Sequence, residues 1–332
     1  MKRLREFALV AGLALWIWLV WRTGPALLVR SLERVGWGMF LLVAIAAVRH
    51  AVRSVPCRWS MGADRAGFSF REMYAILLVS EAIKFLVLAG AVLGESAKGI
   101  LYAERLPAVR AVSSVVLDIV LYQLSAALFF LGGALWLVLN GPIDYRLRAM
   151  LWITIMILGA VSVVITLGFV RRWRSTRRWL AKFSRMRPDS SVWRRWFSKH
   201  AEKIAQAGEQ VAGFYHLHTW HFYGILLFDL LAHGASACEV WTALLLLGQP
   251  ARYGAALAIE ALTKLVRISG AVVPANIGLF EGGTALILAG LGLPAAVGVA
   301  LGLVRQLRSL LWAAAGLLVL PLWSGRPGPS RS

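Results

Sequence analysis

Twelve ionisable side chains lie in or beside long apolar stretches: Glu81, Lys84, Glu95, Asp118, Asp229, Glu239, Glu260, Lys264, Arg267, Glu281, Arg305 and Arg308. A charge at the centre of a bilayer costs at least ~2.5–3.5 kcal/mol, so each must face protein or water, and function is the default hypothesis for it. Glu81 and Lys84 are three residues apart, and Glu260 and Lys264 four apart. At those spacings helical neighbours neutralise one another, so local pairing and a functional role are both open for these four. Arg305 and Arg308 share one helical face and have no acid on their own segment. Two guanidiniums so placed suit bidentate binding of a phosphate or carboxylate. The alternative is pairing across the fold with Glu281, Glu260 or Asp118.

Two glycine-marked breaks add a second anion-friendly feature. Returning half-helices that start near Ser96 and near Asn276, with Pro274 just before the latter, would present free N–H groups and a positive dipole end. Plain N-capping is the other reading of both. Lys84, Lys264 and Arg267 would join the two arginines in binding the substrate, and Glu81, Glu95, Asp118, Glu239, Glu260 and Glu281 would supply counter-charge or exchange protons. Asp229 and His233, four apart, have the spacing of a hydrogen-bonded structural pair or a proton relay. His216, His218 and His221 do not share a helical face, and no metal site is expected from them. Cys57 and Cys238 show no CxxC or Cys/His spacing, so neither a disulfide framework nor zinc is expected.

The elements that carry these groups are read from hydropathy. Hydrophobic residues make up 59% of the 332 and charged residues 16%, where soluble domains sit nearer half and a quarter. The chain is therefore an all-α polytopic membrane protein. Spans of roughly 20 apolar residues are readable at about 6–28, 37–59, 73–93, 112–139, 149–170, 222–247, 254–274, 284–304 and 307–323. The segment 171–203 holds twelve Lys/Arg, and the N-terminus holds Lys2, Arg3 and Arg5. Both belong in the cytoplasm under the positive-inside rule, so an even number of crossings separates them. Five stretches lie between, so one does not cross.

The stretch 73–93, with its Glu81/Lys84 pair and the break Ala89-Gly90-Ala91-Val92-Leu93-Gly94, reads as a re-entrant hairpin. Lys84 and Gly90-Ala91-Val92 recur as Lys264 and Gly270-Ala271-Val272, which marks 254–291 as a second hairpin. The expected architecture is about six spanning helices plus two inverted re-entrant hairpins in one domain, 1–323. Repeat one covers about 37–139 and repeat two about 222–323, joined by a basic cytoplasmic connector, 171–221. The segment 295–323 is taken as one tilted helix of ~43 Å. A rival layout keeps 284–304 and 307–323 as separate spans, with Arg305 and Arg308 in a tight turn. The preferred layout puts 25 of the 36 basic residues inside, six outside, and five in the membrane: Lys84, Lys264, Arg267, Arg305 and Arg308. Inverted repeats with broken helices are a secondary-transporter architecture.

The formal net charge is +20. The Trp/Arg interleaving of the connector is that of an interfacial segment on anionic lipid, and no nucleic-acid partner is expected. The first apolar run has no signal-peptidase pattern and reads as an uncleaved helix; residues 324–332 read as a disordered tail. GxSxG, P-loop, HExxH and strand-linked GxGxxG motifs do not occur, so no enzyme activity and no cofactor are expected.

Ile259-Glu260-Ala261-Leu262, Val273-Pro274, Gly278, Glu281-Gly282-Gly283 and Leu303-Val304-Arg305 resemble the end of the lysylphosphatidylglycerol synthase transmembrane-region family of flippase-like proteins. Glu81-Ala82, Gly94-Glu95, Val115-Val116-Leu117-Asp118 and Glu239-Val240-Trp241 look most like members associated with hopanoid biosynthesis. The resemblance spans about 37–323. It implies an inner-membrane domain that moves a lipid or polyprenyl-type molecule between leaflets. The C-terminal synthase domain of fused members has no counterpart in this sequence, so aminoacyl transfer is not carried over. Where the family leads one to expect an arginine after the Val-Leu-Asp run, this chain has Ile119. The expected function is translocation of an amphipathic or anionic lipid, with possible lipid-biosynthesis partners. The alternatives are a membrane scaffold for a lipid-synthesising complex and a membrane-embedded isoprenoid-lipid enzyme.

Overall fold

The structure is a computed structural model that describes residues 21, 25–87, 89–170, 211, 213–249, 252–269 and 276–324. Among these the chain is helical, with no strand. The helices are α1 (Pro25–Val35), α2 (Gly38–Trp59), α3 (Phe70–Leu86), α4 (Gly90–Ala103), α5 (Ala108–Asn140), α6 (Tyr145–Val170), α7 (Thr219–Leu246), α8 (Tyr253–Ser269), α9 (Leu279–Gly290) and α10 (Ala295–Ser324). Most of the first apolar run and of the basic connector, the Gly270-Ala271-Val272 motif and the tail from 325 lie outside the described residues.

Among the described residues, four helices are long and apolar enough to cross a membrane: α2, α5, α7 and Ala295–Val319 within α10. The helix α10 runs unbroken through Arg305 and Arg308, which excludes the rival layout with a turn there. Its 30 residues span ~45 Å, more than a bilayer's hydrocarbon core, so it tilts or protrudes. The amphipathic helix α1 takes in the end of the first apolar stretch and most of the interval before the second. Its pattern of Leu28, Leu32 and Val35 against Arg30, Glu33 and Arg34 has helical period, and Val35 is buried in the core.

The segments 38–140 and 219–324 present the same order of elements. In each, a long helix is followed by one of 17 residues, a short one and another long one. The contacts cross over between the two sets. The helix α3 packs on α10 as α8 packs on α5, and α2 packs on α7. Three of the apolar clusters follow this plan. One joins α2, α7, α9 and α10, one gathers α3, α4 and α5 around Tyr102 and Phe68, and one joins α5, α6 and α8.

Local chemistry sets the hairpin α3–α4. Ser69 and Glu72 form a capping box at the start of α3, and Arg105 ion-pairs with Glu72 at 2.9 Å. Ala89, in the left-handed region at φ 53°, turns the chain. A Cβ on Gly90 would sit 2.2 Å from the Lys84 carbonyl oxygen, and one on Gly94 2.6 Å from the Ser80 carbonyl. Both glycines therefore let the two backbones touch, and the Ser80 hydroxyl donates to the Gly94 carbonyl at 2.9 Å. The break is thus at 87–89, and Gly90 already belongs to α4. Gly90→Ala is expected to lower stability by about 1–3 kcal/mol through overpacking, read as a fall in the thermal unfolding midpoint in detergent. An unchanged midpoint would contradict this packing.

Candidate functional site

The charged residues of the bundle form two chains of alternating sign. The first crosses α2, α5, α4 and α3. Arg53 donates to Asp118 through both terminal nitrogens, at 2.7 and 3.0 Å. Lys98 reaches Asp118 at 2.6 Å and Glu95 at 2.7 Å. Lys84 then lies 2.6 Å from Glu95 and 2.9 Å from Glu81. Asp118 is fully buried and Lys98 nearly so.

The second chain crosses α8, α10 and α7. Lys264 lies 3.4 Å from Glu260. Arg305 lies 2.7 Å from Glu260 and 3.5 Å from Glu239, and Arg308 lies 2.9 Å from Glu239. The polarity of the long-helix pair is reversed between the two sets. In the first, the leading helix α2 gives the cation and α5 the acid; in the second, α7 gives the acid and α10 the cations. Asp118 and Arg305 each stand ten residues into their helices, at about 15 Å along the axis.

Between the chains lies one cavity of about 940 Å³. Its wall carries Arg49, Arg53, Lys84, Lys264, Arg267, Arg305 and Arg308, against Glu81, Glu95 and Glu260. Two of these cations have no carboxylate within ion-pair distance among the described residues. Arg49 donates only to the neighbouring His50 ring, and Arg267 stacks its guanidinium on Phe280, 4.6 Å from the ring centroid. His50 in turn packs against Trp312 on α10. The cavity therefore holds an excess of positive charge, concentrated on two arginines.

Several sequence expectations are corrected here. Ser96 is not at a helix start. It is the seventh residue of α4, and its hydroxyl donates back to the Val92 carbonyl at 2.8 Å. Glycines that permit close packing had been read as a break. Asn276, at φ 53°, precedes α9, whose N-cap is Gly278; the Glu281 carboxylate accepts the Gly278 N–H at 2.9 Å. For Arg305 and Arg308 the alternative of pairing across the fold holds: Glu260, one of the three acids named for it, meets Arg305, and Glu239, which was not, meets both. Asp229 and His233 do not bond to each other. Asp229 lies 3.5 Å from Arg53, while the His233 ring meets Lys264 at 3.0 Å and the Ser125 hydroxyl at 3.3 Å.

Of the other candidates, Lys84, Lys264, Glu81, Glu95 and Glu260 line the cavity. Asp118, Glu239 and Glu281 are buried behind its wall. Counting by segment assigns Arg49, Arg53 and Lys98 to the cytoplasmic side; the fold places all three in the charged interior. A periodicity signal was present: Leu42, Ala46, His50, Arg53 and Cys57 form the buried stripe of α2, at helical spacing.

The sequence model of the lysylphosphatidylglycerol synthase TM region family matches residues 6–316. The chain belongs to that family. Comparisons with curated proteins and with solved structures gave no match. For a lysylphosphatidylglycerol synthase TM-region protein, a lipid-related role in the membrane fits both the apolar helices and a charged cavity enclosed by them.

Proposed function

We propose that this protein is a lipid translocator that passes the head group of an amphipathic, anionic lipid through the central cavity. The observation that carries the proposal is the cavity itself, whose wall carries charged side chains with cations in excess, inside a bundle whose outer surface is apolar. Moving a lipid head group through hydrocarbon costs what moving any buried charge costs. A charged cavity replaces part of its water and lowers that barrier. Arg49, Arg267, Arg305, Arg308, Lys84 and Lys264 attract the anion, and Glu81, Glu95 and Glu260 keep the site from holding it too tightly.

In this reading the pairs α3–α4 and α8–α9 are the two re-entrant hairpins. Helices of 17, 14, 17 and 12 residues are short for a full crossing, and the matching element order fits an inverted repeat. The protein resides in the inner membrane of a bacterial-type cell, with the N-terminus and 171–221 in the cytoplasm against anionic lipid. It performs no covalent chemistry, requires no cofactor and binds no nucleic acid. Its substrate is a phospholipid or a hopanoid-related lipid.

The test is leaflet exchange of labelled lipids in proteoliposomes. Purified protein is expected to speed exchange of an anionic phospholipid over protein-free vesicles. No acceleration for any lipid, together with stable co-purification of lipid-synthesising enzymes, would favour a scaffold. For the layout, single cysteines at Leu106 and Gly292 are expected to react with impermeant reagent from opposite faces; reaction from one face would refute the inversion.

A further inference from the structure

The two matched sets of helices differ in one seam. On the second set, α9 is welded to α10. A Cβ on Gly298 would lie 2.4 Å from the Ala285 Cα, and one on Gly302 2.9 Å from the Glu281 Cα, so the two backbones are in contact. No residue of α9 lines the cavity. The corresponding seam of the first set, between α4 and α5, has no such backbone contact: it is held at ordinary side-chain distance and, deeper in, by the Lys98–Asp118 ion pair at 2.6 Å. The small residue there, Gly99, would place a Cβ no nearer than 3.7 Å from anything, that neighbour being a Val115 methyl. The helix α4 leans on α3 instead, through Gly90 and Gly94.

The same seam is where the cavity meets the outer surface. Val92, Ile100, Val112 and Val116 line the cavity and are also 68, 66, 52 and 40% exposed. Along α5 the cavity wall runs from Ala108 to Gln123, about 23 Å at helical rise. Its outer end is apolar, while its inner end reaches the cations, two of which lack carboxylate partners. Charge and hydropathy thus change along one continuous path, with the polarity of an anionic phospholipid.

We infer that α4 and α5 form the lateral portal of the cavity, admitting an anionic phospholipid whose phosphate sits on Arg49 and Arg267 while its acyl chains lie in the seam. Apolar walls keep the chains in contact with the bilayer, so only the head group leaves it. The portal lies toward the Leu106 end of the bundle and so serves the cytoplasmic leaflet. It rests on the lipid-translocation reading and adds to it the substrate's orientation and its point of entry.

The experiment has two arms. In vesicles containing phosphatidylglycerol with a photoreactive acyl chain, the seam at Ile100 and Val112 is expected to be labelled more strongly than Leu286 of α9, which is 76% exposed. The excess is expected to vanish in the Arg49→Ala, Arg267→Ala variant. Equal labelling at the two places, or an excess that survives the double variant, overturns the proposal.

In the second arm, Gly99→Cys with Val115→Cys is oxidised to close the seam and then reduced. Closure is expected to slow exchange of head-labelled phosphatidylglycerol about tenfold or more, the equivalent of ~1.4 kcal/mol in barrier, with recovery on reduction. The single Gly99→Cys variant is expected to be indifferent to the same treatment. Full exchange with the disulfide formed refutes the portal while leaving translocation standing. Absence of exchange in the parent protein refutes translocation, and the labelling arm still decides the portal.

Discussion

Asp118→Ala is expected to cost about 3–5 kcal/mol of stability, because it takes a short-range carboxylate from two buried cations at once, leaving Lys98 only Glu95 at 2.7 Å. Arg53 spends both terminal nitrogens on this carboxylate, and Lys98 sits 2.6 Å from it. Asp118 and Lys98 are almost wholly enclosed, so solvent is a poor substitute for the carboxylate at Lys98. The second carboxylate near Arg53, Asp229, stands back at 3.5 Å and compensates only part of the loss. The companion double variant, Arg53→Met with Asp118→Leu, is expected to recover a large share of it, because a buried pair exchanged for apolar groups of similar volume is often close to neutral. The coupling in that cycle should exceed about 1 kcal/mol, as for residues of one network. Thermal unfolding in detergent measures both. A single variant within about 0.5 kcal/mol of the parent, the range of an ordinary surface change, would mean that the Arg53–Asp118–Lys98 cluster does not hold the bundle together.

Arg49→Ala with Arg267→Ala is expected to slow leaflet exchange of an anionic phospholipid by about 10–100-fold while leaving stability unchanged. A charge-assisted hydrogen bond contributes about 1.5–3 kcal/mol, and each 1.4 kcal/mol lost from the transition state is tenfold in rate. Stability should hold because neither arginine neutralises a carboxylate; their neighbours are the His50 ring and the Phe280 face. The contrast is Arg305→Ala, which removes the 2.7 Å partner of Glu260 and should cost stability as well as exchange. Undiminished exchange in the double variant would remove these two residues from head-group binding. A loss of stability equal to that of Arg305→Ala would make them structural. The effect should also shrink for a zwitterionic lipid, where less net charge is at stake.

The basic residues of the cavity differ in how legible they are in the sequence. Arg305 and Arg308 are conspicuous in a one-dimensional reading because no acid lies on their own segment. Their partners come from α7 and α8, 45 residues or more away in the chain. Arg49 and Arg53 are inconspicuous because Arg58 and Arg65 follow, and the run imitates the basic end of a span. The alternating residues of one helix face carried the information that Arg53 points inward, but not what it would meet. Local pairs fared differently: Glu81 with Lys84, and Glu260 with Lys264, were legible because an i,i+3 or i,i+4 spacing on a helix fixes the distance.

Hydropathy by itself determined that this chain is an all-helical membrane protein and roughly where its long helices run, because a span's free energy is a sum over its own residues. Order and spacing of short motifs also carried the family. Only the tertiary structure decided which cations are neutralised, that Ser96 lies inside a helix, and that one cavity joins charges from segments far apart in the chain. Ion pairing in a low-dielectric interior depends on distances of a few ångströms between helices. Those distances are set by packing details such as Gly90 against Lys84, which no property of either segment alone specifies.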